Sequence, residues 1–289
     1  MLGEYWDKIS RTIGLSEEFI MGNYHIMLGE YWDKISRTIG LSEEFIMGNY
    51  HKLNWVLISR CQKLSEDFIR NNSDRVIWTN ISKYQKLSED FMKEFSDKVN
   101  WKYISRDQKL SEEFISEFRD KVYWPYIEEY QKLSEGFIRE NSNKLYFPNI
   151  AKYQKLSSGF IKEYNLDIPE TNWLYKDKEF KREYIKANTE YEIIGNKVIA
   201  YKSCREDGYS IYSFQYYYEV GGEYESHADY NIDNDNSFGL SAWTKDRALE
   251  YHSTGKLFKV EIDLEDLAVI VYGGDKIRAS RIKILEEIN

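Results

Sequence analysis

The chain has 289 residues, a formal net charge of −9 and a charged fraction of 31%. That length suits two domains, and the acidic balance argues against a nucleic-acid backbone as the main partner. Two cysteines, Cys61 and Cys204, set no disulfide framework, so a reducing compartment and a cytoplasmic location are the expectation. The opening Met1-Leu2-Gly3-Glu4-Tyr5-Trp6-Asp7 does not read as a signal peptide, and no apolar run approaches the ~20 residues of a membrane span.

Residues 1–25 and 27–51 are identical, and the junction sets Trp6 and Trp32 26 residues apart where later copies keep 23. A recent or artificial duplication of the first unit accounts for this, with Met27 in the place of an original start codon. Translation begun upstream of the natural start is the alternative. The first copy is expected to pack less regularly than the rest.

The repeat is clearest in Val99–Lys121, VNWKYISRDQKLSEEFISEFRDK. Its tryptophan recurs as Trp32, Trp55, Trp78, Trp101 and Trp124, then as Phe147, and the Leu-Ser-acid-acid-Phe core recurs with it. A period of this size marks units that bury their apolar faces only against neighbours. Ser111 reads as an N-cap, Glu112 and Glu113 sit at the positive end of the helix dipole, and Leu110 with Ile115 has staple spacing. Asn100 caps a second short helix carrying Trp101, Ile104 and Gln108 on one face. Helices this short are marginal alone, so the reading is an α-helical solenoid of six or seven short helix pairs. The lysines Lys63, Lys86, Lys109, Lys132 and Lys155 read as a solvated edge. Pro125 and Pro148 fall in first turns, where proline is tolerated.

The pattern breaks at Asn165–Glu170, and a polar helix at Lys176–Asn188 follows. The expected organisation is a repeat array over 1–168, of which 1–26 duplicates the next unit, a capping or linker helix over 169–189, and a small α+β domain over 190–289. In that domain Ile193–Ile199 reads as a tight hairpin, Phe214–Val220 as a Tyr-rich strand, and Ser226–Asn236 as a mobile acidic loop. A helix from Thr244 to His252 and strands at Leu257–Asp263, Leu267–Tyr272 and Ile277–Leu285 complete it.

The repeat sequence NWKYIS…QKLSEEFI resembles a degenerate repeat of uncharacterised phage and large-DNA-virus proteins. The C-terminal AYKSC…FGLSAWTKDRALEY…KIRASRIKIL resembles a small domain of unknown function that ends them. This resemblance implies a viral source and residence in a host cytoplasm. A fainter one is to ADP-ribosyltransferase-like folds, through Phe238–Thr244 with Ala248 and Tyr251. It implies a pocket for NAD lined by Tyr201, Arg205, Thr244 and Tyr251. Such enzymes need a carboxylate to stabilise a developing ribosyl cation. The late strand Lys276–Arg281 carries none, so Glu261 or Glu265 takes the role, beside Arg205 and Ser241, if the head is catalytic.

Other motifs read as structure. His227 and His252 lack ligand spacing with Cys204, which itself has no nearby base, and no metal site is expected. Gly221-Gly222 and Gly273-Gly274 suit hairpin turns. His227, Asp229, Asp233 and Asp235 read as a solvated acidic loop. The function expected is non-catalytic recognition of a protein, a host immune factor being one candidate, with no nucleic acid, membrane or cofactor and with homo-oligomers left open. The binding residues expected are Trp55, Trp78, Trp101, Trp124, Tyr84, Tyr103 and Tyr130. The alternative is a transferase-like head, enzyme or nucleotide sink, delivered by the array.

Overall fold

The structure is a computed structural model that describes residues 17–23, 29–37, 40–212, 214–251 and 255–288. It opens with α1 (Glu17–Asn23) and α2 (Gly29–Arg37). A run of short helices follows: α3 (Glu43–Gly48), α4 (Trp55–Cys61), α5 (Glu66–Asn71), α6 (Trp78–Tyr84), α7 (Glu89–Glu94), α8 (Trp101–Asp107), α9 (Glu112–Glu117), α10 (Trp124–Tyr130), α11 (Glu135–Glu140), α12 (Phe147–Tyr153) and α13 (Ser158–Glu163). Helices of six and seven residues alternate, each kind recurring every 23 residues. The chain divides into two compact units, residues 1–104 with 212–215, and residues 105–211 with 216–289.

In both units the same side chains do the same work. A serine caps each six-residue helix in extended conformation: Ser65 accepts from Phe68 N–H and Ser134 from Phe137 N–H. The first acid of that helix reaches the serine of the following copy. Glu43 accepts from the Ser65 N–H at 2.7 Å, and Glu112 from that of Ser134 at 2.5 Å. Glu17 of α1 does the same for Ser42, at 2.5 Å to the N–H and 3.0 Å to the hydroxyl. The extra residues at the junction therefore leave this bond intact; the rest of the first copy, residues 1–16 and 24–26, lies outside the described residues.

The buried glutamine links each copy to the one before. Gln85 accepts from Leu64 N–H and donates to the carbonyls of Ser59 and Gln62. Gln131 accepts from Leu110 N–H at 3.1 Å and donates to Ser105 and Gln108 at 2.9 and 2.8 Å. Gln154 repeats the pattern on Leu133, Glu128 and Gln131. The hydroxyl of a buried serine accepts the N–H ahead of the next aromatic, as Ser82 does from Asn100 and Ser105 from Tyr123. In the next copy Glu128 stands where the serine would be. Its buried carboxylate accepts from Tyr146 N–H at 2.7 Å and Asn149 Nδ2 at 2.8 Å.

The C-terminal end of the run is closed by the linker. The Tyr175 hydroxyl accepts from Leu156 N–H at 3.2 Å and donates to the Gln154 carbonyl at 3.4 Å, in place of a further glutamine. Asn172 Nδ2 donates to the Lys152 carbonyl. Trp173, in a short 3₁₀ turn, and Ile185 of α14 (Lys178–Asn188) belong instead to the core of the C-terminal domain. The linker thus caps the repeats with one set of side chains and anchors the head with another. Lys181 of α14 is buried and donates to the carbonyls of Leu264 and Leu267.

The head is an eight-stranded antiparallel sheet: β1 (Glu192–Ile194), β2 (Lys197–Cys204), β3 (Glu223–Glu225), β4 (Leu240–Trp243), β5 (Lys256–Asp263), β6 (Leu267–Val271), β7 (Lys276–Ala279) and β8 (Arg281–Ile288), with α15 (Lys245–Tyr251) between β4 and β5. The order is β3-β8-β5-β2-β4-β7-β6, and β1 pairs with β2. Gly195, at φ +61°, turns the expected β1–β2 hairpin. Val198, Ala200, Leu240, Ala242, Val260, Ile262, Ile277 and Ala279 line its core.

Two expectations for the head are corrected. Phe214–Val220 is not a strand but irregular chain with one bridge, Tyr209 to Tyr217. Its backbone groups find scattered partners, Phe214 N–H at the Tyr84 carbonyl and Tyr218 N–H at that of Gly208, so no single ladder forms. The Ser226–Asn236 segment is not a loose solvated loop. Asp229 is fully buried, Asn231 bridges Asn172, and Trp173 N–H donates to the Tyr230 carbonyl.

Replacing Gln131 by Met should destabilise the protein by on the order of 3 kcal/mol, because one N–H and two carbonyls lose a buried partner. The exposed neighbour Lys132 replaced by Ala should stay within about 0.5 kcal/mol of wild type. Urea denaturation of both variants checks this.

Candidate functional site

Two groups of side chains stand out from the regular scaffold, and both involve the segment 226–238. The first lies on the face of β4 and β7 away from the core. Ser241 pairs with Arg278 and Trp243 with Lys276, so these four side chains share one face. Arg278 is fully buried. Its Nη2 donates to the Asn231 carbonyl at 2.7 Å, and its Nη1 lies 3.7 Å from the buried Asp229 carboxylate. Among the described residues Nε and Nη1 have no hydrogen-bond partner. Asp229 accepts instead from Asn231 N–H and Asn234 Nδ2. Burial pushes the Arg278 guanidinium below its ordinary range, with Asp229 opposing.

Two further cations are buried nearby. Lys276 donates to the Asp235 carbonyl at 3.1 Å and lies over the rings of Trp243 and Tyr272. Lys202 of β2 donates to the Ser241 carbonyl at 2.9 Å and lies over Tyr218. β2 and β4 share the single register pair Tyr201 to Trp243, and Lys202 bridges them beside it. Burial lowers both lysines to about 8.

The second group joins the head to the repeats of its own unit. The Phe238 ring lies 4.7 Å from Tyr130 and 5.9 Å from Tyr153, centroid to centroid. His227 stacks on Phe238 at 5.3 Å. Gly239, at φ +125°, carries the backbone against Ala228, where an added Cβ would meet the Ala228 Cβ at 2.9 Å. The Asp229 N–H to Phe238 carbonyl bond closes the segment. Burial, reinforced by Lys132, pulls His227 down to about 4 against the opposing pull of Asp229. Burial also raises Glu129 and Tyr130.

The residues named from the sequence separate. Arg205 follows β2 and pairs with Asp207 at 3.0 Å. Glu261 on β5 is held by Lys197. It pairs with Ile199, whereas the β2–β4 register continues to place Ser241 level with Ser203. Two strands and four residues of register therefore separate Glu261 from Ser241, about 16 Å. Glu265 is exposed in the turn after β5 and pairs with Lys178 at 2.5 Å. Tyr201 is half-buried, with Lys245 over its ring at 6.0 Å; Thr244 N–H donates to the Asp275 carbonyl; and Tyr251 packs on Trp243 at 5.0 Å.

Of the repeat tryptophans, Trp32 is buried and Trp55, Trp78, Trp101 and Trp124 are half-buried packing residues. Each indole N–H bonds a carbonyl five residues back: Trp55 to Tyr50, Trp78 to Ser73, Trp101 to Ser96 and Trp124 to Arg119. Trp55, Trp78 and Trp124 stack on Phe68, Phe91 and Phe137. Tyr84 carries Arg60 and Lys83 over its ring, and Tyr103 carries Lys83. The sequence did not single out Arg278, Lys276, Lys202 or Phe238 as one site. The visible signal was an arginine inside an otherwise apolar-alternating strand, β7. Among the described residues no cluster of His, Cys, Asp and Glu is arranged to hold a metal, and no helix is long and apolar enough to cross a membrane. Set against known proteins, the chain matches no family model, no curated protein and no solved structure.

Because folding holds His227 below its ordinary pKa, the unfolded chain binds the extra proton between about pH 6.5 and pH 4. Stability attributable to His227 is complete above pH 6.5 and falls on acidification through that window, by at most about 3 kcal/mol. His227→Gln should flatten this part of the curve of unfolding free energy against pH.

Proposed function

We propose that this protein is a non-catalytic recognition protein. Its short helices stack as a solenoid, and a partner protein is bound through the aromatic positions that close the seven-residue helices. The observation that carries this reading is Phe238 seated against Tyr130 and Tyr153. These tyrosines occupy one repeat position, shared with Tyr84, and at two of its copies they already hold an aromatic side chain from outside the repeats. At Tyr84 the contact is through the backbone, its carbonyl accepting from Phe214 N–H. Aromatic rings bring large contact area at low entropic cost, which suits an interface.

The partner is then a protein presenting an aromatic side chain from a loop. The resemblance of the repeats to phage and large-virus proteins supports a host or viral protein in that place. The placement of Glu261 and Glu265, each ion-paired and neither beside Ser241, favours recognition over a transferase-like head.

A display library of loop-constrained peptides panned on the full chain tests this. Enriched loops should carry an aromatic residue and lose at least tenfold in affinity against the variant Tyr84→Ala. Loops that bind that variant as well as wild type would make the repeats a spacer.

A further inference from the structure

The charges beneath segment 229–236 do not balance. Two cations, Lys276 and Arg278, are at least nine-tenths buried on this face of the sheet with one buried carboxylate, Asp229; a third, Lys202, is buried on the opposite, core-lining face. Each lysine has a carbonyl acceptor and an aromatic face, and cation–π contact recovers part of the lost hydration. Arg278 has neither compensation in full. It makes one hydrogen bond, stands 3.7 Å from Asp229, and leaves Nε and Nη1 without an acceptor among the described residues. An uncompensated buried charge costs several kcal/mol, and buried polar groups without partners are rare enough to need a cause.

We propose that this face of β4 and β7 is a binding site for a phosphoryl group, held by Arg278, with Lys276 and the Ser241 hydroxyl beside it. The buried excess on this face is one positive charge, which a bound anion offsets. A guanidinium offers donors in a rigid fork matched to phosphate oxygens. Ser241, opposite Arg278 in register, adds a hydroxyl on the same face and is half-buried, so the site opens beside it. Lys202, bonded to the Ser241 carbonyl, supplies charge from behind that strand. The site is separate from the Tyr130–Tyr153 contact and does not depend on the protein-recognition reading.

The test is a thermal-shift titration of the full chain with inorganic phosphate and, separately, ribose 5-phosphate, each against sodium chloride at matched ionic strength. Phosphate or ribose 5-phosphate should raise the melting temperature beyond the chloride control, saturably. A larger response to ribose 5-phosphate identifies the ligand as a phosphomonoester, and an equal response identifies free phosphate. Lys276→Gln and Arg278→Gln should each weaken binding at least tenfold. Should Arg278→Gln fail to fold, Lys276→Gln decides alone. The absence of any shift beyond chloride, or an undiminished shift in Lys276→Gln, overturns the assignment and leaves ordered water as the partner of Arg278.

Discussion

A helix of six or seven residues leaves most of its backbone without an intrahelical partner, since the first four N–H groups and the last four carbonyls of any helix have none. A run of such helices meets that demand at every turn, and helix propensity alone does not support segments so short. Here the deficit is met across copies. One glutamine amide closes an N–H and two carbonyls at once, the capping serine takes one N–H, and the following copy's serine is itself bonded by a glutamate. The polar letters of the repeat are therefore structural, and its freedom to vary lies in what remains outside these bonds.

This explains how the ends behave. The linker supplies Tyr175 where the next glutamine would stand, so the last copy is finished by a phenol rather than left open. Glu128 replaces a serine and keeps the same acceptor function, with a second bond to Asn149 as the gain. Such exchanges show that the acceptor, not the residue type, is what the position requires.

Much of this was legible beforehand. The 23-residue period, the Ser111-type cap and the strands around Leu257–Asp263 follow from spacing and cap chemistry. The glutamine bonds were not visible, because Gln108 and its equivalents fall on the apolar face of their helix and their partners lie in another copy, which periodicity does not name. The tryptophans invited a binding role, yet their indole N–H groups are occupied and their rings stack internally. In the head, composition made 226–236 look solvated. The pairing of its backbone with Asn172 and Trp173, and the burial of Asp229 against Arg278, are long-range facts that no local pattern carries. The carboxylate sought in the late strand is absent, and the buried side chain opposite Ser241 on that strand is a cation, Arg278.

The central claim is that cross-copy side-chain bonds hold the repeats together. Native-state amide hydrogen exchange at Leu64, Leu110 and Leu133 measures it most directly, because each N–H is bonded by a glutamine of the following copy. These amides should exchange only through global or near-global opening, with protection matching that of the most buried helices. Exchange at rates typical of exposed turns would show that the glutamine bonds are incidental and that apolar packing alone carries the fold.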